Sequence, residues 1–225
     1  VDVDTNPRNT AIGDRAFGDD PELVGRLGTA MIAGLQEGGV AACAKHFPGH
    51  GDTDVDSHLS LPAVDHSRAR LEDVELRPFR RAIEAGVAMI MSAHVLVREL
   101  DDRLPSTLSP RLLEELLRKE MKAVAEWSGS GKAAGLAAKA GCDLVIVSKT
   151  PDAQVAAIEE LVRSAEAEEV SWEAVDTAAE RVRRLKERFL LPYKDPDPKQ
   201  ARLSAGVGEH RRLAEQIAAQ AGIPG

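Results

Sequence analysis

The sequence has 225 residues and a mass of 24.1 kDa, with 43% hydrophobic and 29% charged residues, a composition typical of a folded protein rather than a disordered one. The formal net charge of −8 argues against a nucleic-acid partner, because phosphate binding needs a surplus of basic side chains. No apolar run approaches the roughly 18 residues that cross a bilayer, and the first residues do not resemble a signal peptide, so we expect no membrane partner.

Three short apolar runs predict buried strands at residues 40–47, 87–95 and 143–148. Helical patterns at 21–37 and 67–85 lie between them, and a third helix is predicted to begin at Ser109, which precedes a proline. Strands that alternate with helices and lack polar alternation indicate a parallel sheet covered by helices. This pattern predicts an α/β protein and leaves open whether the sheet is doubly wound or closed as a barrel.

Two details of the helical patterns are specific expectations. In the helix at 21–37 the apolar face is expected to consist of Leu23, Leu27, Ala30, Met31 and Gly34. After the helix at Ser109, the apolar spacing continues to Trp127, and the next pattern, at 132–139, is again helical. No strand is therefore predicted between these two helices.

The last third of the sequence is helical. Helices are predicted at 151–166 and 171–189, followed by a proline-rich linker at 191–198 and one helix within 201–225. We therefore expect one domain at 1–190 and a linker with a helix at 191–225. Cys43 and Cys142 lie in apolar stretches, where thiols outnumber disulfides, and a cytoplasmic location is expected on that ground.

The most informative segment is 45–58, a polar loop that leaves the carboxyl end of the first predicted strand. Three histidines and three aspartates fall within thirteen residues, where a parallel α/β fold places its active site. One interpretation is a metal site, but Pro48 and Gly49 prevent the helix that would bring His46 and His50 to one ion. A loop whose side chains only cap turns is a second interpretation.

Acid–base catalysis is the third interpretation, and Asp56 and His58 are its candidates. The two residues are two positions apart, so the carboxylate can orient the imidazole and favour its protonated form. Histidine can then transfer a proton near neutral pH. On this interpretation we expect neither a metal nor a cofactor.

At these residues the sequence resembles glycoside hydrolase family 3, and in particular its β-N-acetylglucosaminidase branch. The Lys45-His46 pair followed by a loop that ends Asp56-Ser57-His58 carries the similarity. Three further motifs agree in their order, namely Ile-Gly-Asp-Arg-Ala-Phe-Gly at 12–18, Ser-Ala-His at 92–94 and Leu-Ser-Pro at 108–110. The similarity extends from the first residue to about residue 148, and more weakly to about 191.

The resemblance implies a TIM-type (β/α)8 barrel, which is incomplete because the N-terminal strands and the nucleophile strand of the family have no counterpart in this sequence. It implies that Arg15, Lys45 and His46 bind the hydroxyl groups of a sugar. It also implies that His58 is the general acid/base, with Asp56 as its partner, in a retaining glycosidase. The expected substrate is a small glycan with a terminal β-linked N-acetylglucosamine, such as a cell-wall fragment.

The sequence departs from the family at the nucleophile. The family's aspartate ends a short strand of the pattern Ser/Thr-Asp-Asp, but here Glu120 runs directly into Met121. No nucleophile is therefore assigned, and neither Asp101 nor Asp143 is given that role. Two alternatives stay open, a phosphorylase that uses the same loop and a sugar-binding relative without catalysis.

Three other polar residues have expected positions. His50 and Asp52 are expected to shape the loop rather than to react. His94 follows another predicted strand, where it either lines the pocket or lies in the core.

Overall fold

The computed structural model describes seven stretches of the chain. They are residues 1–54, 61–121, 125–128, 133–148, 150–195, 197–204 and 206–220. Contacts divide the chain into two compact units, Val1–Phe189 and Leu190–Gly225, and every described strand belongs to the first unit.

The first unit contains one parallel sheet of four strands and one of two. In chain order the strands are β1 (Cys43–Phe47), β2 (Ala63–Val64), β3 (Met89–Ser92), β4 (Leu96–Val97), β5 (Ala125–Ser128) and β6 (Leu144–Ile146). The larger sheet has the order β1-β3-β5-β6, and β2 pairs with β4 in the smaller one. The three predicted strands therefore exist in shortened form.

Helices and the loops that join them form the rest of the described chain. The α-helices are α1 (Pro21–Glu37), α2 (Arg68–Arg70), α3 (Arg77–Glu84), α4 (Ala134–Lys139), α5 (Pro151–Glu166), α6 (Trp172–Phe189), α7 (Pro198–Ser204) and α8 (Gly208–Gln220). Two π-helical segments cover Leu71–Glu75 and Arg111–Glu120. The carboxylate of Asp20 accepts a hydrogen bond from the N–H of Glu22 at 2.9 Å and so caps α1.

The order of the strands distinguishes between the two architectures that periodicity left open. A doubly wound sheet reverses its strand order, whereas here each strand of the larger sheet lies next to the strand that follows it in that sheet. This winding is that of a TIM-type barrel, and the fold is α/β and TIM-barrel-like. Within the described residues the sheet is open, with β1 and β6 at its edges, so the eight strands of a closed barrel are not all present.

Strand β5 contradicts the prediction that no strand separates the helix at Ser109 from the helix at 132–139. Its backbone pairs with β3 at Ala125 and with β6 at Trp127. The apolar spacing that runs into Trp127 suits a helix and a buried strand equally, and a place between two strands favours the extended form. The prediction was wrong because the spacing of apolar residues contains no information about hydrogen bonds to neighbouring strands.

The buried face of α1 also differs from the predicted one. Its buried residues are Val24, Gly25, Gly28 and Ile32. Leu27 and Met31, which were expected in the interior, are 38% and 53% exposed. A Cβ at Gly28 would come within 2.7 Å of the Val1 side chain, so this face of α1 approaches its neighbours through small residues. A prediction based on the positions of large apolar side chains therefore selects the wrong face of α1.

Two other segments, each predicted as one helix, contain more than one helix in the structure. The segment predicted as one helix at 67–85 consists of α2, the π-helical turn and α3, and Pro78 lies in the first turn of α3, where its missing N–H costs no hydrogen bond. The segment predicted as one helix within 201–225 contains the end of α7 and all of α8. Gly206, with φ of +66°, lies between these two helices.

The core of the first unit consists of aliphatic and phenylalanine side chains. The largest fully buried ones include Phe47, Leu71, Leu76, Phe79, Ile90, Leu112, Leu113 and Leu117. The rings of Phe47 and Phe79 meet edge to face with 5.4 Å between their centroids, which joins β1 to α3. None of the helices that the structure describes is long and apolar enough to span a lipid bilayer.

A buried aspartate ties two helical segments to the start of β6. The side chain of Asp143 is 2% exposed and lies 2.7 Å from a guanidinium nitrogen of Arg181 and 3.2 Å from one of Arg118. The Asp143→Ala variant is expected to lose about 3 kcal/mol of unfolding free energy, because two guanidinium groups lose a buried partner. Urea denaturation measures the loss. The matched control is Asp176→Ala, at an exposed position in α6, and equal stability of the two variants would contradict this role for Asp143.

Candidate functional site

The polar segment that follows β1 lies at the carboxyl edge of the larger sheet. In the β1–β3 pair, Phe47 lies opposite Ser92, and the N–H of Ala93 donates to the carbonyl oxygen of Phe47 at 2.6 Å. The carboxyl ends of both strands therefore meet at one edge, where parallel α/β proteins place their active sites. At this edge Lys45 is exposed and His46 is half-buried, so solvent reaches both side chains.

A buried carboxylate lies against this segment. Asp2, which is 4% exposed, accepts hydrogen bonds from the backbone N–H of His46 at 3.1 Å and from that of His50 at 2.8 Å. Its Oδ2 also lies 2.9 Å from Nδ1 of the His46 ring. One carboxylate thus holds both the backbone and the ring of His46. Asp2 was not predicted from the sequence, because its two partners are 44 and 48 residues away along the chain.

The contacts of Asp2 favour its ionised form. Burial works to raise the pKa of this carboxyl, but the hydrogen bonds from the ring and the backbone of His46 and the positive charge of the N-terminal amine hold the pKa below its ordinary value. The pKa of Asp101, a second buried aspartate, is also lowered. Burial opposes ionisation of Asp101, but hydrogen bonds from the Ser109 hydroxyl at 2.6 Å and from the N–H of Arg103 at 3.0 Å lower its pKa. These contacts give Asp101 a structural role at the start of the second π-helical segment.

Acid is expected to destabilise the protein through these two aspartates. A carboxyl whose pKa is lower in the folded than in the unfolded chain contributes stability above the unfolded pKa of about 4 and loses it as the pH falls through the folded value. The melting temperature is therefore expected to fall as the pH is lowered from about 5 to about 2. The fall should be shallower in Asp101→Asn, since an amide does not titrate. A constant melting temperature over this range would contradict the lowered pKa values.

Buried polar contacts shape the loop after β1. His50 is buried, and its Nδ1 lies 2.7 Å from the hydroxyl oxygen of Thr53. The side-chain amide of Asn9 donates to the carbonyl oxygen of His50 at 2.6 Å. A Cβ at Gly51 would overlap the carbonyl oxygen of Val3, so the loop packs directly on the first residues of the chain. These contacts agree with the loop-shaping role expected of His50.

Asp52 connects the same loop to the segment that follows β2. Its Oδ2 lies 2.7 Å from Nε2 of His66, and Oε1 of Glu75 lies 3.8 Å from the same nitrogen. Arg70 lies 3.1 Å from Glu75 and donates to the hydroxyl of Thr5 at 3.2 Å. The cluster therefore joins three separate segments beside the site. His66 was not predicted from the sequence, because a single histidine outside a motif carries no signal of its partner.

Arg15 lies in a different segment from the other candidate sugar-binding residues, Lys45 and His46. It ends the 3-10 turn Gly13–Arg15, its side chain is exposed, and its Nη2 donates to the carbonyl oxygen of Ala11. The loop that carries it closes where the N–H of Asp4 donates to the carbonyl oxygen of Gly18 at 2.9 Å. No hydrogen bond or ion pair between described residues joins Arg15 to β1, so its place in the site stays a prediction.

The predicted acid–base pair, His58 and Asp56, lies outside the described residues. His94, two positions beyond β3, is exposed, so the core position considered for it is wrong. Partial removal from water lowers the pKa of His94. No three His, Cys, Asp or Glu side chains in the described part of the chain are arranged to hold a metal ion. The described site thus offers an ammonium group and an imidazole, which can bind the hydroxyl groups of a polar ligand.

A TIM-barrel-like sheet with such groups at its carboxyl edge defines a class, the α/β proteins whose sites are built from strand ends. The pattern of the glycosyl hydrolase family 3 N-terminal domain matches residues 1–185. The chain therefore belongs to glycosyl hydrolase family 3, as the motifs at Lys45-His46 and at 56–58 predict.

Two relatives and one solved structure show the extent of the similarity. The β-hexosaminidase of Hydrogenovibrio crunogenus is 38% identical over 199 residues, covering 82% of this chain and 52% of the relative. β-Hexosaminidase A of Pseudoalteromonas piscicida is 31% identical over 249 residues, covering 97% of this chain and 41% of the relative. A family 3 β-N-acetylglucosaminidase from a Paenibacillus species is 40% identical, with a TM-score of 0.90 over 96% of this chain and 44% of that one. The chain thus spans about half the length of the curated relatives it matches.

Proposed function

We propose that this chain carries the sugar-binding and acid–base residues of a retaining β-N-acetylglucosaminidase. The observation that carries the proposal is the Lys45-His46 pair at the carboxyl end of β1, beside the end of β3, with His46 held by the buried Asp2. Donors and acceptors in a fixed arrangement can select a ligand by its hydroxyl groups. With only seven aromatic residues in the chain, polar groups rather than stacked rings are suited to this task.

Each proposed site residue has one role. The ammonium group of Lys45 donates to sugar hydroxyl oxygens, His46 exchanges a hydrogen bond with a hydroxyl through its ring, and Arg15 adds a guanidinium donor. His58 donates a proton to the glycosidic oxygen as the bond to the leaving group breaks. Asp56 orients the His58 ring and stabilises its protonated form. The substrate is a small glycan, without nucleic acid or membrane as partner.

The proposed reaction has two steps. In the first, a carboxylate displaces the protonated leaving group and forms a covalent glycosyl intermediate. In the second, neutral His58 removes a proton from water, which attacks the sugar carbon and releases N-acetylglucosamine with retained configuration. No residue of this chain is assigned as that carboxylate nucleophile.

Hydrolysis of aryl glycosides tests this function. The chain is expected to release the aryl group from an aryl N-acetyl-β-glucosaminide at least tenfold faster than from the matched aryl β-glucoside, which lacks the acetamido group. Equal rates, or no release from either substrate, would contradict the proposed activity. Added phosphate separates hydrolysis from the phosphorylase alternative, because a phosphorylase forms a sugar 1-phosphate and a hydrolase forms the free sugar.

A sugar-binding function without turnover is the second candidate, and the direct join between Glu120 and Met121 favours it. In the family the strand that ends Ser/Thr-Asp-Asp and carries the nucleophile comes before the stretch that residues 121–124 resemble, whereas here Glu120 is followed directly by Met121. Strand β5 begins after that stretch, and its residues, Ala-Glu-Trp-Ser, include no aspartate. Saturable binding of N-acetylglucosamine together with no aryl release would select this second function.

A further inference from the structure

The carboxylate of Asp2 contacts both the backbone and the ring of His46. Its two oxygens accept the backbone N–H of His46 at 3.1 Å, and Oδ2 lies 2.9 Å from ring atom Nδ1. A third contact, from the N–H of His50 at 2.8 Å, fixes the carboxylate itself. The position and the rotation of the His46 ring are thus both determined by one buried group that is 4% exposed.

The ring contact also determines which nitrogen of His46 carries the proton. An ionised carboxylate accepts hydrogen bonds and does not donate them, so Nδ1 must be the protonated nitrogen where it faces Asp2. The neutral ring then carries its lone pair on Nε2. No hydrogen bond between described residues engages this second nitrogen, and the His46 side chain is 20% exposed.

We propose that Asp2 is a positioning residue for sugar binding, which holds His46 as the Nδ1-protonated tautomer so that Nε2 accepts a hydrogen bond from a sugar hydroxyl. This inference rests on the proposed function, because it needs a ligand that carries a hydroxyl donor. Asp2 itself does not contact the ligand in this account. It acts through His46, and it adds a role for the first residues of the chain, which no sequence motif marks.

The variant that tests the proposal is Asp2→Asn. Asparagine has nearly the same shape and keeps one oxygen as an acceptor, but its amide group can donate to Nδ1 and so favours the opposite tautomer. The matched control is Asp101→Asn, which removes the charge of another buried aspartate whose partners are Ser109, Arg103 and Leu104 rather than the site. Both variants are expected to lose stability, and their melting temperatures are measured first, so that binding is compared below both transitions.

Calorimetric titration with N-acetylglucosamine is the binding experiment. We expect Asp2→Asn to bind about tenfold more weakly than the wild type, as a lost hydrogen bond of about 1.4 kcal/mol predicts, and Asp101→Asn to bind as the wild type does. In the His46→Ala background the Asp2 substitution should change affinity by less than about twofold, because its effect passes through the ring. An equal tenfold loss in both backgrounds would overturn the proposal, since a merely structural role does not depend on His46.

Nitrogen-15 NMR of the histidine rings gives a readout that needs no ligand. In its neutral form the His46 ring of the wild type should show protonated Nδ1 and unprotonated Nε2, and Asp2→Asn should shift this population toward protonated Nε2. An identical tautomer in both proteins would overturn the proposal even where sugar binding is confirmed. If the wild type binds no N-acetylglucosamine, the proposed function fails, and a tautomer that follows Asp2 still supports the positioning of His46.

Discussion

Replacing His58 by alanine is expected to lower kcat on an aryl N-acetyl-β-glucosaminide by about 10²- to 10⁴-fold, the usual contribution of a general acid/base. The loss should be smaller for substrates whose aryl leaving group is already acidic, because such a group needs little protonation. The KM should change less than kcat, since the proposed contacts to the sugar come from Lys45 and His46 rather than from His58. Initial rates over a series of aryl leaving groups measure both effects.

Two control variants make the His58 result specific. Asp56→Asn keeps the histidine and removes only the charge that orients it, so its rate should lie between those of the wild type and His58→Ala. His210→Ala changes an exposed histidine of α8 and should leave the rate unchanged. Full activity of His58→Ala would remove His58 from the mechanism.

The second large effect is expected at Phe47, the residue between His46 and Pro48. Its side chain is fully buried and packs edge to face on Phe79, so Phe47→Ala removes a large part of the core directly under the site. The free energy of unfolding is expected to fall by about 3–5 kcal/mol, as in other truncations of buried phenylalanine. Urea denaturation followed by circular dichroism measures the loss.

A double-mutant cycle separates the energy of contact between the rings of Phe47 and Phe79 from the energy of burying each ring. In a double-mutant cycle with Phe79→Leu, the Phe47→Leu substitution should cost about 0.5–1.5 kcal/mol less in the variant background than in the wild type, which is the usual energy of an aromatic pair. Phe189→Ala serves as a control, because that ring is only partly buried at the end of α6. A cost of Phe47→Ala no larger than that of Phe189→Ala would contradict the central position of Phe47 in the core.

Local sequence signals predicted much of the fold. The bounds of α1 and α5 were predicted correctly, and each helix begins at a proline that follows a capping residue, Asp20 in α1 and Thr150 in α5. Strand β5 was missed because its residues pair with two strands that are distant in sequence. The buried face of α1 was missed because Gly25 and Gly28 contribute close approach rather than hydrophobic area.

The candidate site was also predicted only in part, because local motifs mark some of its residues and contacts through space determine the others. The Lys45-His46 pair and its place at the end of β1 follow from a contiguous motif and from the rule that strand ends carry sites. Asp2 and His66 are partners of that segment through space, and a single sequence contains no record of such pairs. The roles of Arg15, Asp56 and His58 rest on the family pattern and stay predictions.

Both candidate functions require that N-acetylglucosamine binds at the end of β1, so the most direct test is its calorimetric titration into the wild type and into Lys45→Ala. Lys186→Ala, at an exposed position in α6, is the control for loss of a positive charge. Saturable binding by the wild type and by Lys186→Ala is expected, with affinity at least tenfold weaker in Lys45→Ala, a difference of about 1.4 kcal/mol or more. Equal affinity of all three proteins, or no binding by the wild type, would contradict a sugar site at this strand end.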